Sequence, residues 1–583
     1  MRHYLLIVLA ATLAFAGAAR AADATWVQTS NANAQVLLKV MADFSPESAG
    51  RLGISGVDEN IIDLRANVYQ RRRAALEKAL AELRQRLADT HQTEVRQDLQ
   101  IMIDSAEEEL RSDKLHHDLM LPYYNVPAIA YRGISVLLNP QVPAERQKAA
   151  LVRLKKYAGS DGASLARLAE QRTSERFGER DLVGPYVVEV KQDLSDADQY
   201  LEGIKQLFEH SDVDGWKQPF EALRTQVKAY EKWVGTAVLA HARQTNRLPE
   251  QIYADNLRQV GVDIPPRELM HRAQAAFVEI QNQMKALAPL VAKQKGYKST
   301  DYRDVIRQLK KEQITGKTIV DVYKKRLSEI EDIIRREHIV TLPRRAAEIR
   351  LASKTESAAM PAPHMQPPPL IGNTGQRGQF VLPLNTPDEG GKSMKMDDFT
   401  FDAMSWSLIS HEARPGHELQ FASMVEKGVS LARAEFAFNS ANVEGWALYS
   451  EAEMQPYEPL DGQLMTLNAR LMRAARAFVD PMLNLGLMKP EQAREFIMRE
   501  MVLSPALAKE EIDRYTFRAP GQATSYFYGY TRLMQLRGEA QVALGDKFNR
   551  QHFNDFVLSQ GLLPPDLMQK AIEERFIPEE SKL

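Results

Sequence analysis

The 583-residue sequence contains no cysteine. Disulfides, thiolate metal ligands and cysteine nucleophiles are therefore excluded, and stability in an oxidising compartment must come from packing alone. Long apolar runs are also missing, because no segment after the N-terminal twenty-odd residues approaches the roughly eighteen apolar residues of a membrane span. We therefore expect a soluble mature protein that has no membrane partner.

The sequence has no large excess of either charge, with 75 Lys and Arg against 77 Asp and Glu. Without Arg2 and Arg20 of the N-terminal segment, 73 basic residues face 77 acidic residues, a net charge of −4. This balance gives no electrostatic reason to bind nucleic acid or an anionic membrane. The Gly-x-Ser-x-Gly pattern of many serine hydrolases is also absent, which argues against that class.

Residues 1–21 have the pattern of a secretory signal peptide. Arg2 and His3 form a basic start, residues 4–18 are mostly apolar, and Ala19-Arg20-Ala21 is a small-x-small cleavage site. We expect cleavage after Ala21 and a periplasmic or secreted protein. The alternative is a membrane anchor, for which the apolar stretch is short.

Most of the chain has the periodicity of amphipathic helices. Apolar residues recur at helical spacing in a charged background, for example at Leu76, Leu80, Leu83 and Leu87. We predict a mostly α fold with two lobes around a cleft, since the chain exceeds what one core normally organises. We expect an N-terminal helical region over residues 22–350 and a metal-binding region over residues 351–583, packed into one unit.

The composition changes near residue 358, where five prolines precede a glycine-rich stretch and make helix improbable. Phe380-Val-Leu-Pro-Leu384 then predicts a small β element near residues 378–386, and Pro383 would confine it to a sheet edge. One interpretation is a surface loop. The other is an edge strand beside a cleft that pairs with an extended peptide, which makes Phe380 a candidate substrate-binding residue.

The most informative stretch is His411-Glu-Ala-Arg-Pro-Gly-His417, followed downstream by Glu444 in an apolar context. Two histidines and a distant glutamate form the ligand set of a catalytic zinc with an open position for water. Glu412, beside the first histidine, stands where such sites keep their general base. The alternative for a His-Glu pair alone is a surface helix end.

The spacing of the two histidines is unusual, because standard zinc helices place them four residues apart and here they are six apart. In a straight helix, residues six apart lie about 120° and about 9 Å from each other. Pro415 and Gly416 offer an interruption between them. We therefore expect the backbone either to bulge or to break between Arg414 and His417; a straight helix would refute the metal site.

Three motifs in order resemble the DUF885 family: His411-Glu-Ala-Arg-Pro-Gly-His417-Glu-Leu-Gln420, Val443-Glu444-Gly-Trp-Ala-Leu-Tyr449-Ser-Glu451 and Pro520-Gly-Gln522-Ala-Thr-Ser-Tyr526. That family looks like a set of zinc metallopeptidases related in architecture to helical oligopeptidases and carboxypeptidases of the gluzincin type. The resemblance covers most of the mature chain. It implies one zinc ion held by His411, His417 and Glu444, with Glu412 as general base and Tyr526 as a donor to the oxyanion.

Two positions depart from the family pattern. Glu418 stands where many members carry a further histidine, and Arg414 stands where an aromatic residue is expected. Neither change removes a proposed ligand, although both are expected to alter the surroundings of the ligands or the substrate preference.

Further candidates surround the proposed metal ligands. Glu451 lies seven residues after Glu444 on the same helical face, so it either orients a ligand or is a solvated charge. Arginines near the third motif can anchor a substrate carboxylate by bidentate pairing. The substrate-binding candidates are Phe380, Gln522, Tyr528 and Arg518, with Arg532 and Arg537 as further possible anchors.

The leading hypothesis is a zinc-dependent hydrolase that cleaves short peptides. One alternative is a non-catalytic helical protein that binds peptides or solutes and has a structural or vestigial metal site. Another is a metal-dependent hydrolase of non-peptide amides or esters. The sequence leaves open the substrate sequence, the choice between endopeptidase and exopeptidase, the oligomeric state and the metal, since His and carboxylate ligands suit several ions.

Overall fold

The computed structural model describes residues 25–314, 318–353, 356–357, 360, 362–383, 386–387, 393–394 and 396–583. The predicted signal peptide lies outside these residues. With 70% helix and little sheet, the fold is mostly α, as predicted. No helix among the described residues has the length and apolar character needed to cross a membrane.

The described part of the chain up to residue 336 consists of helices and the loops that connect them. Apolar positions predicted from helical spacing are buried there, including Leu76 and Leu83. The helices cover residues 25–44, Pro46–Leu52, Val68–Asp89, Thr93–Leu119, Val126–Ser135, Ala144–Gln147, Ala149–Ala158, Leu165–Ser174, Val187–Glu209, Lys217–Trp233, Leu239–His241, Glu250–Gln259, Pro266–Lys295, Tyr302–Leu309 and Thr318–Arg336.

The second part resumes as helix at residue 402 and carries all three motifs. Its helices are Asp402–Glu412, His417–Lys427, Ser440–Met454, Leu460–Asn484, Pro490–Glu500, Pro505–Asp513, Ser525–Leu544, Arg550–Ser559, Pro565–Ala571 and Ile577–Glu580. Short π-helical turns extend or precede several helices, at Val234–Val238, Ala432–Phe436, Arg514–Arg518 and Ile572–Phe576.

The helix Leu460–Asn484 runs through the middle of the largest hydrophobic cluster, and most of its residues are buried. It packs against Pro266–Lys295, Asp402–Glu412 and Ser525–Leu544. This cluster therefore draws residues from both sides of position 350. Smaller clusters are formed by residues 64–238 and by residues 34–106 together with Leu431 and Ala432. The division of the chain at residue 350 stays a prediction.

The segment that connects the two helical parts in the sequence forms a small sheet. Its strands are β1 (Glu348–Leu351), β2 (His364–Gln366) and β3 (Gln379–Leu382), in the order β1-β3-β2. β3 pairs parallel with β1 and antiparallel with β2. A second pair, β4 (Thr386–Pro387) and β5 (Ser393–Met394), is antiparallel.

The predicted strand is present as β3, but its predicted position at a sheet edge is wrong, since β3 is the central strand. Pro383 follows the last residue of β3, so its missing N–H removes no hydrogen bond from the sheet. The Phe380 side chain is 0% exposed, and its ring lies 6.0 Å from that of Tyr323. Phe380 is therefore a core residue and offers no surface to a substrate.

A buried carboxylate ties the N-terminal helices to the segment that leads to Glu444. Asp98 is 0% exposed and accepts hydrogen bonds from Ser30 Oγ at 2.6 Å and Ser430 Oγ at 2.5 Å. Its other oxygen accepts from Arg433 Nε at 2.8 Å, and Arg433 is itself 3% exposed. This contact fixes the turn Ala432–Phe436, which precedes the helix that carries Glu444.

We predict that Asp98→Ala lowers the free energy of unfolding by about 3–5 kcal/mol, because it leaves the Arg433 guanidinium buried without its carboxylate. Urea denaturation followed by circular dichroism measures this loss. Glu77→Ala is the control, since Glu77 pairs with Arg73 on the surface and is 51% exposed. Its loss should stay below about 1 kcal/mol. Equal losses in the two variants would contradict the assignment.

Candidate metal centre

The helix that carries His411 ends one residue later. Asp402–Glu412 is followed by a turn over residues 413–416, and a second helix, His417–Lys427, starts at the other histidine. The predicted interruption between Arg414 and His417 is therefore confirmed, and it is a helix break rather than a bulge. The break allows residues six apart in sequence to face the same point.

Gly416 makes the break possible by a close approach of two backbones. A Cβ at this position would lie 1.9 Å from the carbonyl oxygen of His411 and 2.5 Å from that of Ser410. Any side chain would force the chain away from the end of the first helix. Glycine therefore lets the second helix start close to the C-terminal end of the first, with His417 next to His411.

The three predicted metal ligands meet at one point. The rings of His411 and His417 are 4.8 Å apart, and both point towards Glu444 on the helix Ser440–Met454. Glu444 Oε2 lies 3.5 Å from His411 Nε2 and 3.2 Å from His417 Nε2. These distances match the edge of a tetrahedron of ligands about 2.1 Å from a zinc ion, which is about 3.4 Å.

The surroundings of these atoms also fit a cation. Glu444 Oε2 is buried and receives no well-directed hydrogen bond from the described residues. A buried carboxylate oxygen without a donor is costly unless a cation neutralises it. Among the described residues, His411, His417 and Glu444 form the one group of three or more potential ligands that could hold a metal ion.

Glu451 orients the first histidine. Its Oε1 accepts a hydrogen bond from His411 Nδ1 at 2.7 Å, and its Oε2 accepts one from Ser407 Oγ at 2.7 Å. Glu451 is 0% exposed, so it is not the solvated charge that the sequence left open. With Nδ1 donating to Glu451, the lone pair of His411 Nε2 is directed at Glu444 and any metal beside it.

The electrostatics of the site favour positive charge at its centre. Burial lowers the pKa of His411, but the neighbouring carboxylates of Glu444 and Glu451 raise it more, to about 9. Burial raises the pKa of Glu444, yet the close approach of His417 and His411 holds that pKa well below its usual range. A proton on His411 and a divalent cation are stabilised by the same carboxylates, so they compete for this site.

A pocket opens beside the ligands, and Glu412 lines it. Glu412 is 8% exposed, and it follows His411 at the C-terminal end of the same helix. His411 and Tyr526 line the same pocket. The proposed base, one ligand and the proposed oxyanion donor therefore share one cavity.

Tyr526 lies at the start of the helix Ser525–Leu544, with its ring 6.1 Å from the His411 ring and nearly parallel to it. Arg514 Nη2 donates a hydrogen bond to the Tyr526 hydroxyl oxygen at 2.8 Å. Burial raises the pKa of Tyr526, and Arg514 partly offsets this effect. The phenol therefore stays protonated, and its own hydrogen is directed away from Arg514.

The helices that carry Glu444 and Tyr526 cross in direct backbone contact. A Cβ on Gly445 would lie 2.5 Å from the carbonyl carbon of Gly529, and a Cβ on Gly529 would lie 1.8 Å from the carbonyl oxygen of Ala441. Glycine at both positions is therefore required at this crossing. The contact holds the second and third motifs together.

The other predicted substrate-binding residues do not line this pocket. Gln522 Oε1 accepts a hydrogen bond from Arg514 Nε at 3.0 Å, and its Nε2 donates to Ser440 Oγ at 2.8 Å. Gln522 therefore positions Arg514 rather than touching the pocket itself. Tyr528 is 2% exposed and donates its hydroxyl hydrogen to Asp263.

The arginines proposed from the sequence as carboxylate anchors are engaged elsewhere. Arg518 donates to Glu510 at 2.5 Å, Arg532 donates to Gln569 at 2.8 Å, and Arg537 donates to Glu453. None of the three lines the pocket that contains Glu412. Their pairing with neighbouring side chains indicates structural roles.

Three other arginines line the pocket, and the sequence analysis did not single them out: Arg473, Arg476 and Arg514. Arg473 and Arg476 are three residues apart in an otherwise apolar, buried stretch of the helix Leu460–Asn484. Two charges on one face of an apolar helix are a signal that could have identified them. Arg514 has no comparable sequence signal.

The two departures from the family pattern contact each other. Arg414 Nε donates to Glu418 Oε2 at 2.7 Å, and both residues are nearly fully buried. Arg414 Nη1 also donates to Glu331 at 2.7 Å. This buried pair fixes the turn between the two histidines to the helix Thr318–Arg336 without contributing a ligand.

The fold and the site define a mostly helical protein with a buried His-His-Glu centre. Residues 46–572 match DUF885, described as a bacterial protein of unknown function, and the chain belongs to this family. No curated protein matches the sequence.

Two solved structures are similar over nearly their whole length. A "putative lipoprotein" from Colwellia psychrerythraea has a TM-score of 0.72 at 19% identity, covering 95% of this chain and 99% of its own. A "putative lipoprotein of unknown function" from Shewanella oneidensis has a TM-score of 0.71 at 19% identity, covering 94% and 99%. At this identity the likeness shows a shared fold.

We predict that Glu451→Gln lowers the affinity for zinc by about 10-fold to 100-fold, because His411 loses the charged acceptor that fixes its ring. Competition with a chromophoric chelator measures the dissociation constant. Glu453→Gln is the matched control, since Glu453 is buried on the same helix and pairs with Arg537 instead. Unchanged zinc affinity in Glu451→Gln would contradict the role given to Glu451.

Proposed function

We propose that this protein is a zinc-dependent peptidase that cleaves short peptides. The observation that supports it most is the convergence of His411 Nε2 and His417 Nε2 on Glu444 Oε2, at 3.5 and 3.2 Å, with Glu412 lining the adjoining pocket. Two imidazoles and one carboxylate leave a fourth position open, which is the donor set of a catalytic rather than a structural zinc.

His411, His417 and Glu444 would hold the ion, with Glu451 orienting His411. When bound, zinc supplies a Lewis acid that polarises a carbonyl group and lowers the pKa of water. The closed tetrahedral sites that stabilise small folds use four protein ligands, usually with cysteine. This chain has no cysteine and offers three ligands among the described residues, which favours the catalytic type.

Glu412 is the proposed general base. It takes a proton from the water whose oxygen attacks the scissile carbonyl carbon. It then passes this proton to the nitrogen of the leaving amine as the C–N bond breaks. Tyr526 donates its hydroxyl hydrogen to the oxyanion that forms in between, and Arg514 holds the phenol in place.

The enclosure of the site supports short peptides as substrates. His411, Glu412 and Tyr526 are 2%, 8% and 8% exposed, so the reacting groups lie below the surface. The backbone of a folded protein cannot reach such a position, whereas the end of a short, flexible peptide can. The signal-like pattern of residues 1–21 supports a periplasmic or secreted location for this activity.

We predict that Glu412→Gln lowers kcat about 10²-fold to 10⁴-fold while the protein still binds one equivalent of zinc, because only proton transfer is lost. Chelation should abolish hydrolysis by the wild type, and zinc should restore it. Cleavage of a diverse peptide library, followed by mass spectrometry, measures turnover.

Metal content and circular dichroism of Glu412→Gln control for loss of the site or of the fold. Full turnover by this variant would show that Glu412 is not the base. If the zinc-loaded wild type cleaved no peptide, the proposal would fail and a non-catalytic peptide-binding or solute-binding protein would be favoured. Cleavage restricted to non-peptide amides or esters would retain the metal chemistry and change the substrate class.

A further inference from the structure

The pocket beside the metal ligands has a cationic wall built around Tyr526. The guanidinium carbons of Arg476 and Arg514 lie 4.6 and 5.1 Å from the centre of the Tyr526 ring. The Arg473 guanidinium carbon lies 5.9 Å from the same ring centre, and the His411 ring centre lies 6.1 Å from it. A single aromatic ring therefore separates the two guanidinium groups from a proposed metal ligand.

Both arginines keep donor capacity for a ligand. Arg476 uses Nε and Nη2 to donate to the two oxygens of Glu511, at 2.7 and 2.6 Å. Arg514 uses Nε and Nη2 for Gln522 and Tyr526. Neither Nη1 atom donates a hydrogen bond to a described residue, and both side chains line the pocket.

The charge at this wall is not fully balanced by neighbouring carboxylates. The pair Arg476–Glu511 is closed and bidentate, with both side chains at most 6% exposed. Among the described residues, the one carboxylate within 4 Å of Arg514 is Glu511, whose Oε1 lies 3.7 Å from Nη1, and the Arg514 side chain is 24% exposed. Arg514 therefore leaves a positive charge facing the pocket, where an anion would be stabilised.

Part of the remaining wall is apolar and adaptable, although Lys310, Asp398 and Asn468 also line the pocket. The apolar part includes Met404, Leu408, Met465, Met472, Leu503 and Leu507. Flexible methionine side chains accept apolar groups of different shapes. The pocket thus combines an anion-binding wall, an apolar wall and the proposed catalytic groups.

Within a peptide, the C-terminal residue matches both the cationic wall and the apolar wall of this pocket. The C-terminal residue carries a carboxylate that pairs with a guanidinium group and a side chain that can be apolar. Its carboxylate lies one residue length, about 3.5 Å, beyond the peptide bond that precedes it. A free N-terminus would instead place an ammonium group beside Arg514 and Arg476, which like-charge repulsion disfavours.

We propose that Arg514 and Arg476 bind the C-terminal carboxylate of the substrate, so that the protein removes residues from the C-terminus of peptides and favours apolar C-terminal residues. This inference rests on the proposed peptidase function and adds the direction of cleavage. Arg473 does not belong to this anchor, because it faces Glu451 at 3.4 Å and supports the orientation of His411.

The test measures kcat/KM of the zinc-loaded, full-length protein on three peptides. The first is an N-acylated peptide that ends in leucine with a free carboxylate, and the second is the same peptide with a C-terminal amide. The third is an amide that carries aspartate as its last residue, which supplies a carboxylate from a side chain. We expect kcat/KM for the free acid to exceed that of the leucine amide by about 30-fold or more, since a charge-assisted pair is lost.

Variants locate the source of this preference. Arg514→Gln should reduce the ratio of kcat/KM between free acid and amide at least about tenfold. The double variant Arg476→Gln/Glu511→Gln should also reduce the ratio, and it removes both partners of the closed buried pair together, so that neither Arg476 nor Glu511 is left buried without the other. The ratio is the readout, because a change in folding or in the orientation of Tyr526 would alter both rates alike.

Two controls separate carboxylate binding from catalysis. Tyr526→Phe should lower kcat on both peptides and leave their ratio unchanged. Arg499→Gln removes one positive charge from a side chain that is 62% exposed, and it should leave both rates unchanged.

The outcomes distinguish the two proposals. Equal cleavage of acid and amide by the wild type, or cleavage at internal bonds, would overturn C-terminal recognition while the peptidase function stands. Equal rates for the leucine acid and the aspartate amide would show a site for any carboxylate and also overturn it. Absence of hydrolysis for every peptide would overturn both. If a variant fails to fold, the ratio of kcat/KM between free acid and amide in the wild type alone decides whether the C-terminal carboxylate is recognised.

Discussion

The site depends on one break in the backbone between two helices. The chain leaves the first helix after Glu412 and starts the second at His417, and the approach of Gly416 to the His411 carbonyl brings the two histidines together. Without this break, two imidazoles six residues apart would point in different directions. The contacts of Glu444 with both imidazole rings require this break. The same break places Glu412 at a helix end, where its side chain lines the pocket.

A network of buried charges surrounds this break and explains why so many ionisable groups lie inside the fold. Glu451 and Glu444 face the histidines from one helix, and Arg473 faces Glu451 from the central helix. Buried charges are costly unless each has a partner, so these residues have to be considered together. The carboxylates make the centre attractive to a cation, while the arginines beside Tyr526 make the adjoining wall attractive to an anion. A substrate with a polarised carbonyl group beside the metal ligands and a negative charge beside the arginines fits this separation of charge.

The helices and the metal centre could be predicted from the sequence to different degrees and for different reasons. Helical spacing of apolar residues identified helices such as Val68–Asp89, because amphipathic periodicity is local. The unusual histidine spacing predicted an interruption, because Pro415 removes a helical hydrogen bond and Gly416 permits unusual backbone angles. The strand near Phe380 was found but placed at the wrong position in the sheet, since strand order depends on distant pairing. Arg514 was missed for the same reason: only tertiary contacts distinguish it from arginines such as Arg518, which pairs with Glu510.

The central claim is that His411, His417 and Glu444 hold one metal ion. A crystal of the zinc-loaded protein, measured on both sides of the zinc absorption edge, tests this claim most directly. One anomalous peak about 2.0–2.2 Å from the Nε2 atoms of both histidines and a carboxylate oxygen of Glu444 is the predicted result. No peak there, or a peak elsewhere with these side chains unchanged, would contradict it.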